Sequence, residues 1–356
     1  MTLPGAVAAG CGVALLAAAA ASGLVAWAGP VDRPRDRGSH RTPTPTSGGL
    51  GIIAGTSLGL LAFAALAPAP APLADLGRIA ATLGFAAALG LVGGLDDLFD
   101  IGARAKLLIQ AALSLAFAIF VARIEAIPLA PGAALPLGPI VGVIGTALWL
   151  VVATNAVNFM DGANGLAPGG IVIVLAALAS AALLGGSPLL GAAALSTAFA
   201  GLGFLPWNFP RARLFQGDAG ALFSSFMVAA LAVIGAGPSG RGPAFVLFAP
   251  LALLPFLADV LLTLLDRARA RKRLLDAHAE HLYQRWLARS GGSHVALALR
   301  TYLIMAVFAG AALALTGAGT LMQTLGFAAA LIAAVVGWAI LRRRVDRAEP
   351  SGQASR

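Results

Sequence analysis

The sequence predicts an all-α integral membrane protein, a polytopic bundle of about eleven transmembrane helices with its N-terminus outside. Hydrophobic residues make up 59% of the 356 positions, charged residues only 11%, and the mean hydropathy is +0.89. Soluble domains contain about half apolar and about a quarter charged residues. A chain of this composition therefore belongs in a lipid bilayer.

Apolar stretches mark the individual spans, because crossing about 30 Å of hydrocarbon takes roughly 20 helical residues. In chain order they cover about residues 4–28, 48–67, 76–95, 104–122, 137–157, 168–186, 189–206, 218–237, 242–264, 295–316 and 320–341. The first stretch has no basic segment before it and is followed by several arginines. We therefore predict that it is a retained helix and not a cleaved signal peptide.

Basic residues predict the orientation of the bundle. With the N-terminus outside, all but three of the 24 Lys and Arg residues lie on the cytosolic side, which is the positive-inside pattern. This distribution explains the net charge of +9 without nucleic acid, because it forms no compact basic patch. Cys11 is the single cysteine, so the chain can form neither an internal disulfide nor a two-cysteine metal site.

Three carboxylates follow the third span. Asp96, Asp97 and Asp100 lie in "DDLFD" at its predicted cytosolic end. An aspartate at the bilayer centre would cost roughly 2.5–3.5 kcal/mol, so the sequence predicts an interfacial position or a polar cleft. Arg104, Lys106 or a divalent cation would offset the negative charge. The alternative is a solvated loop that only ends a helix.

A second polar motif follows the fifth span, in "NAVNFMDGANGLA". Asn155 and Asn158 are spaced to share one helix face, and Asp161 follows three residues later. Carboxamides and a carboxylate at a membrane surface can hydrogen-bond a sugar or nucleotide and hold a metal ion. The alternative is a polar helix terminus.

Asp218 begins the eighth span, where the positive end of the helix dipole stabilises an ionised carboxylate. Its alternative role is an N-cap. Arg211 and Arg213 precede it and offer guanidinium groups suited to phosphate, or serve only as positive-inside anchors.

Two histidines lie in the last cytosolic loop, in "HAEHLYQR". His278 and His281 are i,i+3 neighbours and are able to face one ligand together. Two histidines without a third protein ligand are a weak zinc signal, so a diphosphate is the favoured ligand. The alternative is a pair of exposed interfacial side chains.

Five segments together carry a family resemblance. "VDRPRDRGSHRTPTPTSGGLGI", "DDLFDIGARAKLLIQ", "NAVNFMDGANGLA", "GFLPWNFPRARLFQGDAG" and "HAEHLYQR" follow one another over most of the chain. In this order they resemble the polyprenyl-phosphate N-acetylhexosamine-1-phosphate transferase family, glycosyltransferase family 4. "SHRTPTP" and "HLYQR" are more similar to the O-antigen-initiating branch than to the peptidoglycan branch. Ser47 departs from the pattern, since a third glycine is common there.

The resemblance implies a reaction. A lipid phosphate attacks the β-phosphorus of a UDP-sugar, expels UMP and leaves a polyprenyl diphosphate sugar. It implies Mg²⁺ as cofactor, or Mn²⁺ in its place, because two anions must approach each other. Asp218 and Asp97 are the implied metal ligands, and Asp96 and Asp97 the implied catalytic residues. A phosphate monoester is largely ionised at pH 7, its second pKa being about 6, so we favour positioning and charge neutralisation over base catalysis.

The residues that the resemblance implies for substrate binding come from four loops: Asn155, Asn158, Asp161, Arg213, His278, His281, His40 and Thr44. The asparagine motif would bind the nucleotide-sugar, and the two histidines and the arginine would hold the diphosphate. The first inner loop would complete the pocket, although a proline-rich connector is its alternative role.

The implied partners are a UDP-N-acetylhexosamine, an undecaprenyl or other polyprenyl phosphate lipid and the membrane, with no nucleic acid and with a homodimer left open. The implied location is the bacterial inner membrane, with the site on its cytosolic face. One catalytic domain would cover 1–341, its site carried by loops 29–47, 95–103, 157–167, 206–217 and 265–294, and a basic cytosolic tail would cover 342–356.

Two other classes of protein are alternatives. A transporter would place ionisable residues at mid-membrane on broken helices or inverted repeats, whereas here they lie at one face. An intramembrane aspartyl protease would use the Gly217-Asp218 pair, with two carboxylates sharing a proton. The hypothesis of an aspartyl protease gives no role to the asparagine and histidine motifs.

Overall fold

The structure is a computed structural model that describes residues 1–32, 43–69, 71–237, 245–274, 278–289 and 292–347. His40 lies outside the described residues, so the prediction that it lines the pocket stays a prediction.

Helices dominate the described chain, and two short antiparallel strand pairs accompany them. The helices are α1 Leu3–Ala28, α2 Gly49–Leu66, α3 Leu73–Phe99, α4 Ala103–Phe120, α5 Gly138–Phe159, α6 Leu166–Leu184, α7 Pro188–Asn208, α8 Gly217–Ala236, α9 Phe248–Ala252, α10 Leu254–Arg269, α11 Leu282–Arg289, α12 His294–Thr316 and α13 Thr320–Arg347. The strands are β1 Val31–Asp32 with β2 Thr44–Pro45, and β3 Ala126–Ala130 with β4 Ala133–Pro136.

Ten of the described helices are long and apolar enough to cross a membrane, which confirms the predicted fold class. The ninth predicted span, 242–264, was wrong as a single helix, because the described part of it is divided at Leu253 into α9 and α10. Pro255 gives the physical reason, since it has no backbone N–H to continue the helix across Leu253. Helix α10 also runs beyond the predicted end of the span, to Arg269.

Helix α8 is the centre of the bundle, with 94% of its span buried. It packs against α2, α3, α5, α6 and α7. Helix α13, by contrast, has only 6% of its span buried, and leucine, isoleucine and valine side chains cover its outer surface. An apolar surface of this kind is typical of a helix that faces lipid.

Two glycines bring the first turn of α8 close to its neighbours. A Cβ atom at Gly93 of α3 would collide with the backbone of Asp218, and one at Gly49 of α2 with the backbone of Gly220. Only a residue without a side chain permits such an approach between membrane helices. The N-terminus of α8 is therefore held against the C-terminal end of α3 and the N-terminus of α2.

The orientation can be tested by cysteine labelling in a background in which the buried Cys11 has been replaced by alanine. We expect a cysteine at Ser187, between α6 and α7, to react with an impermeant thiol reagent from outside intact cells. A cysteine at Ser293, before α12, is expected to react only after the membrane is opened, because the basic loops stay inside. The reverse pattern would overturn the orientation.

Candidate active site

Asp97 and Asp218 meet where the end of α3 contacts the start of α8. The backbone N–H of Asp218 donates to Asp97 Oδ1 at 3.1 Å. Ser47 Oγ, just before α2, donates to Asp97 Oδ2 at 3.1 Å. Three predicted motifs that lie far apart in the chain therefore converge on one carboxylate, and both of its oxygens are held in place.

Lys106 is the cation beside these carboxylates. Its Nζ lies 2.6 Å from Asp96 Oδ2 and also donates to Asp218 Oδ2. The side chain of Lys106 is only 17% exposed, so water screens the interaction weakly. Helix α4 begins four residues after Phe99, and this short connection returns Lys106 to the carboxylates. The sequence indicated Lys106 and Arg104 as candidate side chains, beside a divalent cation, to offset the negative charge, but missed that Lys106 joins Asp96 to Asp218.

The motif after α5 adds a fourth carboxylate. Asn158 contacts the Asp218 side chain, and Asp161 interacts with Gln216 and lies near Asp97 and Asp218. Burial raises the pKa of Asp161 well above its usual range, and the two neighbouring carboxylates raise it further. We call Asp96, Asp97, Asp161 and Asp218 the acidic cluster.

Asn155 lies one helical turn before Asn158, and its amide nitrogen is hydrogen-bonded within the protein. It donates to Gln110 Oε1 of α4 at 2.5 Å and to the Val151 carbonyl at 2.8 Å. Gln110 Nε2 is buried and has no hydrogen-bond partner among the described residues. The structure thus pairs Asn155 with Gln110, and its role in substrate binding stays a prediction.

The two histidines of the last loop do lie together. Their ring centroids are 4.8 Å apart, and the His281 ring lies 5.6 Å from that of Phe159, at the end of α5. Both ring nitrogens of His281 are buried, and the ring interacts with the backbone of Asp259 in α10. Buried polar atoms of this kind are suited to receive a ligand.

Both histidines are neutral at pH 7. Burial lowers the pKa of His278 to about 4, and His281 and Arg267 add to the shift. Burial also lowers the pKa of His281, although the nearby Asp259 opposes the shift. Neutral imidazoles can donate one hydrogen bond each to a diphosphate oxygen, but they bring no positive charge to it.

The first inner loop reaches Asp97 through Ser47, and the predicted role of Thr44 in substrate binding stays a prediction. Thr44 is buried in β2, opposite Asp32 of β1. Ser47 has φ +67°, a left-handed conformation that favours glycine. Its hydroxyl makes the contact to Asp97 that a glycine would lack.

Arg213 contacts groups outside the acidic cluster, and Asp100 follows the last residue of α3, where its backbone N–H donates to the Asp96 carbonyl. The Arg213 guanidinium lies 5.0 Å from the Trp207 ring centroid and donates to the Pro206 carbonyl at 2.9 Å. Asp100 ends α3 with φ +51°, so it no longer continues the helix face of Asp96. The predicted contact of Arg213 with a diphosphate is therefore untested.

The acidic cluster fits a magnesium ion by the chemistry of its donors. Carboxylate oxygens are the ligands that Mg²⁺ prefers, and Asp96 Oδ1 and Gln216 Oε1 are buried oxygens without a hydrogen-bond partner in the described ranges. No three His, Cys, Asp or Glu side chains of the described chain are placed as ligands of a single ion. Magnesium commonly uses only one or two carboxylates and completes its shell with water and substrate phosphate.

Fold and site together define a class of protein. A bundle of membrane-spanning helices that gathers four carboxylates, a lysine and neutral polar groups at one end is a multi-pass membrane enzyme suited to phosphoryl transfer. The sequence profile of glycosyl transferase family 4 matches residues 79–236.

Relatives extend the match over most of the chain. A protein of Bacillus subtilis named "Probable undecaprenyl-phosphate N-acetylglucosaminyl 1-phosphate transferase" is 31% identical over 299 residues, which are 82% of this chain and 78% of the relative. The "Decaprenyl-phosphate N-acetylglucosaminephosphotransferase" of Mycobacterium tuberculosis is 34% identical and aligns with 80% of this chain and 76% of its own length. The chain belongs to glycosyl transferase family 4 and is a membrane transferase, which confirms the family that the five motifs predicted.

A third relative concerns the branch within the family. The "Phospho-N-acetylmuramoyl-pentapeptide-transferase" of a Synechococcus strain is 36% identical over 63% of this chain and 66% of the relative. Relatives of differently named activities thus match this chain, and the predicted preference for the O-antigen-initiating branch stays a prediction.

Proposed function

We propose that the protein transfers an N-acetylhexosamine 1-phosphate from a UDP-sugar to a polyprenyl phosphate and releases UMP. The observation that carries the proposal is the convergence of Asp97, Asp218 and Lys106 with the asparagine motif at one end of the bundle. Two relatives named as N-acetylglucosamine transferases make UDP-N-acetylglucosamine the first donor to test.

The bond changes are simple. An oxygen of the lipid phosphate forms a bond to the β-phosphorus of the donor, and the bond from that phosphorus to the UMP oxygen breaks. The lipid phosphate has a second pKa of about 6 and needs little help to lose its proton at pH 7. The enzyme must mainly bring two anions together and line them up.

Asp97 and Asp218 would hold a magnesium ion, which when bound supplies the positive charge that the two phosphates need. Ser47 and the backbone N–H of Asp218 fix the Asp97 carboxylate for this role. Lys106 would lie at the same phosphates, because its ammonium group already bridges two members of the acidic cluster.

The remaining polar groups would bind the donor. Asn158 and Asp161 lie beside Asp218 and would contact the nucleotide-sugar. His278 and His281, neutral at pH 7, would donate hydrogen bonds to the diphosphate. The site would face the cytosol of a bacterial cell, at its inner membrane, where UDP-sugars are present.

An exchange assay tests the reaction. Purified protein with polyprenyl phosphate, Mg²⁺ and UDP-N-acetylglucosamine is expected to move radiolabelled UMP into the UDP-sugar, because the transfer is reversible through the lipid product. Exchange should require the lipid and should stop when EDTA removes the metal ion. A transporter or a protease would give no labelled UDP-sugar under these conditions.

Repeating the assay with a panel of UDP-hexosamines would identify the sugar, and no exchange with any of them would refute the proposal.

A further inference from the structure

Asp259 is a buried carboxylate of α10 that has no part in the proposed chemistry. Its side chain is 4% exposed. Oδ1 accepts from the backbone N–H of Leu282 at 2.7 Å, and Oδ2 from that of Tyr283 at 3.2 Å. Trp338 Nε1 of α13 donates at 3.3 Å and Thr263 Oγ1 at 3.4 Å. A buried carboxylate is costly unless it is well hydrogen-bonded, and donors from three helices meet this need.

The two backbone donors identify what Asp259 does locally. Leu282 and Tyr283 are the first two residues of α11, whose N–H groups have no partner within their own helix. An external carboxylate at this end also interacts favourably with the helix dipole. Gln284 Oε1 accepts from the N–H of His281 at 3.2 Å, as the third residue of a capping box does. The backbone at His281 is therefore fixed by Asp259 and Gln284 together.

Tyr283 ties the same segment to the motif after α5. Its hydroxyl donates to the Phe159 carbonyl at 3.0 Å. A Cβ atom at Gly162 would collide with this hydroxyl, so the turn at Phe159–Gly162 and Tyr283 are in close contact. Asp161, a member of the acidic cluster, lies in this turn. The start of α11 is thus held at two points, by α10 and by the turn that carries Asp161.

We propose that Asp259 is a positioning residue for the transfer reaction, which caps α11 so that His281 is presented to the diphosphate of the donor. The His281 ring, with both nitrogens buried, contacts the rings of Phe159 and His278 and the backbone of Asp259. Loss of the cap would let residues 281–283 move away from the turn. This inference rests on the proposed function, because it assigns to His281 the donor diphosphate as ligand.

A double-mutant cycle tests the inference in the full-length protein. We expect Asp259→Ala to lower kcat/KM for the UDP-sugar roughly 30-fold, since a misplacement of about 1 Å costs up to about 100-fold. Asp259→Asn should lower kcat/KM less than Asp259→Ala does, because its amide oxygen can still accept one backbone N–H. In the His281→Ala background Asp259→Ala should cause little further loss, since residues that act through one another are not additive. Asp266→Asn, which removes a charge from the same helix outside this contact set, is the matched control.

The outcomes separate the two proposals. If the wild-type protein shows no exchange, the proposed function fails and the role of Asp259 falls with it. If the wild type is active, two results overturn the positioning role alone. One is an unchanged kcat/KM in Asp259→Ala, and the other is a loss in the Asp259→Ala, His281→Ala double variant equal to the product of the losses in the two single variants. If Asp259→Ala does not fold, Asp259→Asn replaces it, since the amide keeps the size of the side chain and one acceptor oxygen. Asp259→Asn should lower kcat/KM and be non-additive with His281→Ala, and full activity of Asp259→Asn would overturn the inference.

Discussion

Asp218→Asn is expected to lower turnover by about 10³-fold or more while the protein still inserts into the membrane. A bound metal ion supplies several kcal/mol of charge stabilisation, and each 1.36 kcal/mol is a factor of ten in rate. Asparagine keeps the shape of the side chain but is a poor magnesium ligand. It also gives up the charge that pairs with Lys106. The measurement is UMP exchange at saturating Mg²⁺, together with the amount of folded protein in detergent.

The amide also separates the two roles of Asp218. Asp218 is the second residue of α8, whose N-cap residue is Gln216, so its structural contribution is a negative charge near the positive end of the helix dipole and the pairing with Lys106. A purely structural Asp218 would therefore reduce the amount of folded protein in Asp218→Asn and leave the turnover of the folded molecules unchanged. Asp100→Asn is the matched control, since Asp100 ends α3 outside the acidic cluster. Activity near that of the wild type in Asp218→Asn would refute the assignment of Asp218 as a metal ligand.

Lys106→Met should lower activity by about 10²- to 10³-fold and also destabilise the protein. Breaking a buried ion pair costs about 3–5 kcal/mol, because the remaining charges lose their partner, and we expect the lower end since Lys106 keeps some exposure. Asp96 and Asp218 would then face each other without the ammonium group between them. The measurements are turnover and the thermal unfolding midpoint in detergent.

Magnesium should distinguish the Lys106 variant from an ordinary destabilised protein. A ligand stabilises the state that binds it, so adding Mg²⁺ should raise the unfolding midpoint of Lys106→Met more than that of the wild type. Arg104→Met is the control, because Arg104 is an exposed cation two residues before Lys106. Equal effects of Mg²⁺ on both variants would contradict the placement of Lys106 at a cation-binding site.

The positions of the spans depend on local composition, and the sequence was sufficient to predict them. A span forms because roughly 20 consecutive apolar residues are transferred to hydrocarbon, and that free energy is a sum over neighbouring residues. Ten spans were therefore confirmed. The ninth predicted span was divided near Pro255, which is also a local feature of the sequence. Hydropathy measures only how apolar a residue is, so it does not show that proline lacks the backbone N–H that a continuous helix needs.

The site was only partly predictable, for a different reason. The residue types at the end of the third span pointed to a cation beside Asp97, and the family resemblance added Asp218 as a metal ligand. The direct contact of Asp97 with Asp218 depends on the close approach of α3 and α8 at Gly93, which no local pattern reports. The pairing of Lys106 with Asp218 joins residues that lie 112 positions apart.

What the sequence by itself determined was the membrane-spanning helical fold, the family and the residue types gathered at one end of the bundle. What only the tertiary structure decided was which of those residues are partners: Lys106 between two aspartates, Ser47 on Asp97, Asn155 with Gln110, and Asp259 at the start of α11. The physical reason is the range of the forces. Hydrophobic transfer acts on each segment independently of its neighbours in space, whereas a hydrogen bond or ion pair requires two atoms within about 3 Å, and packing of distant segments sets that distance.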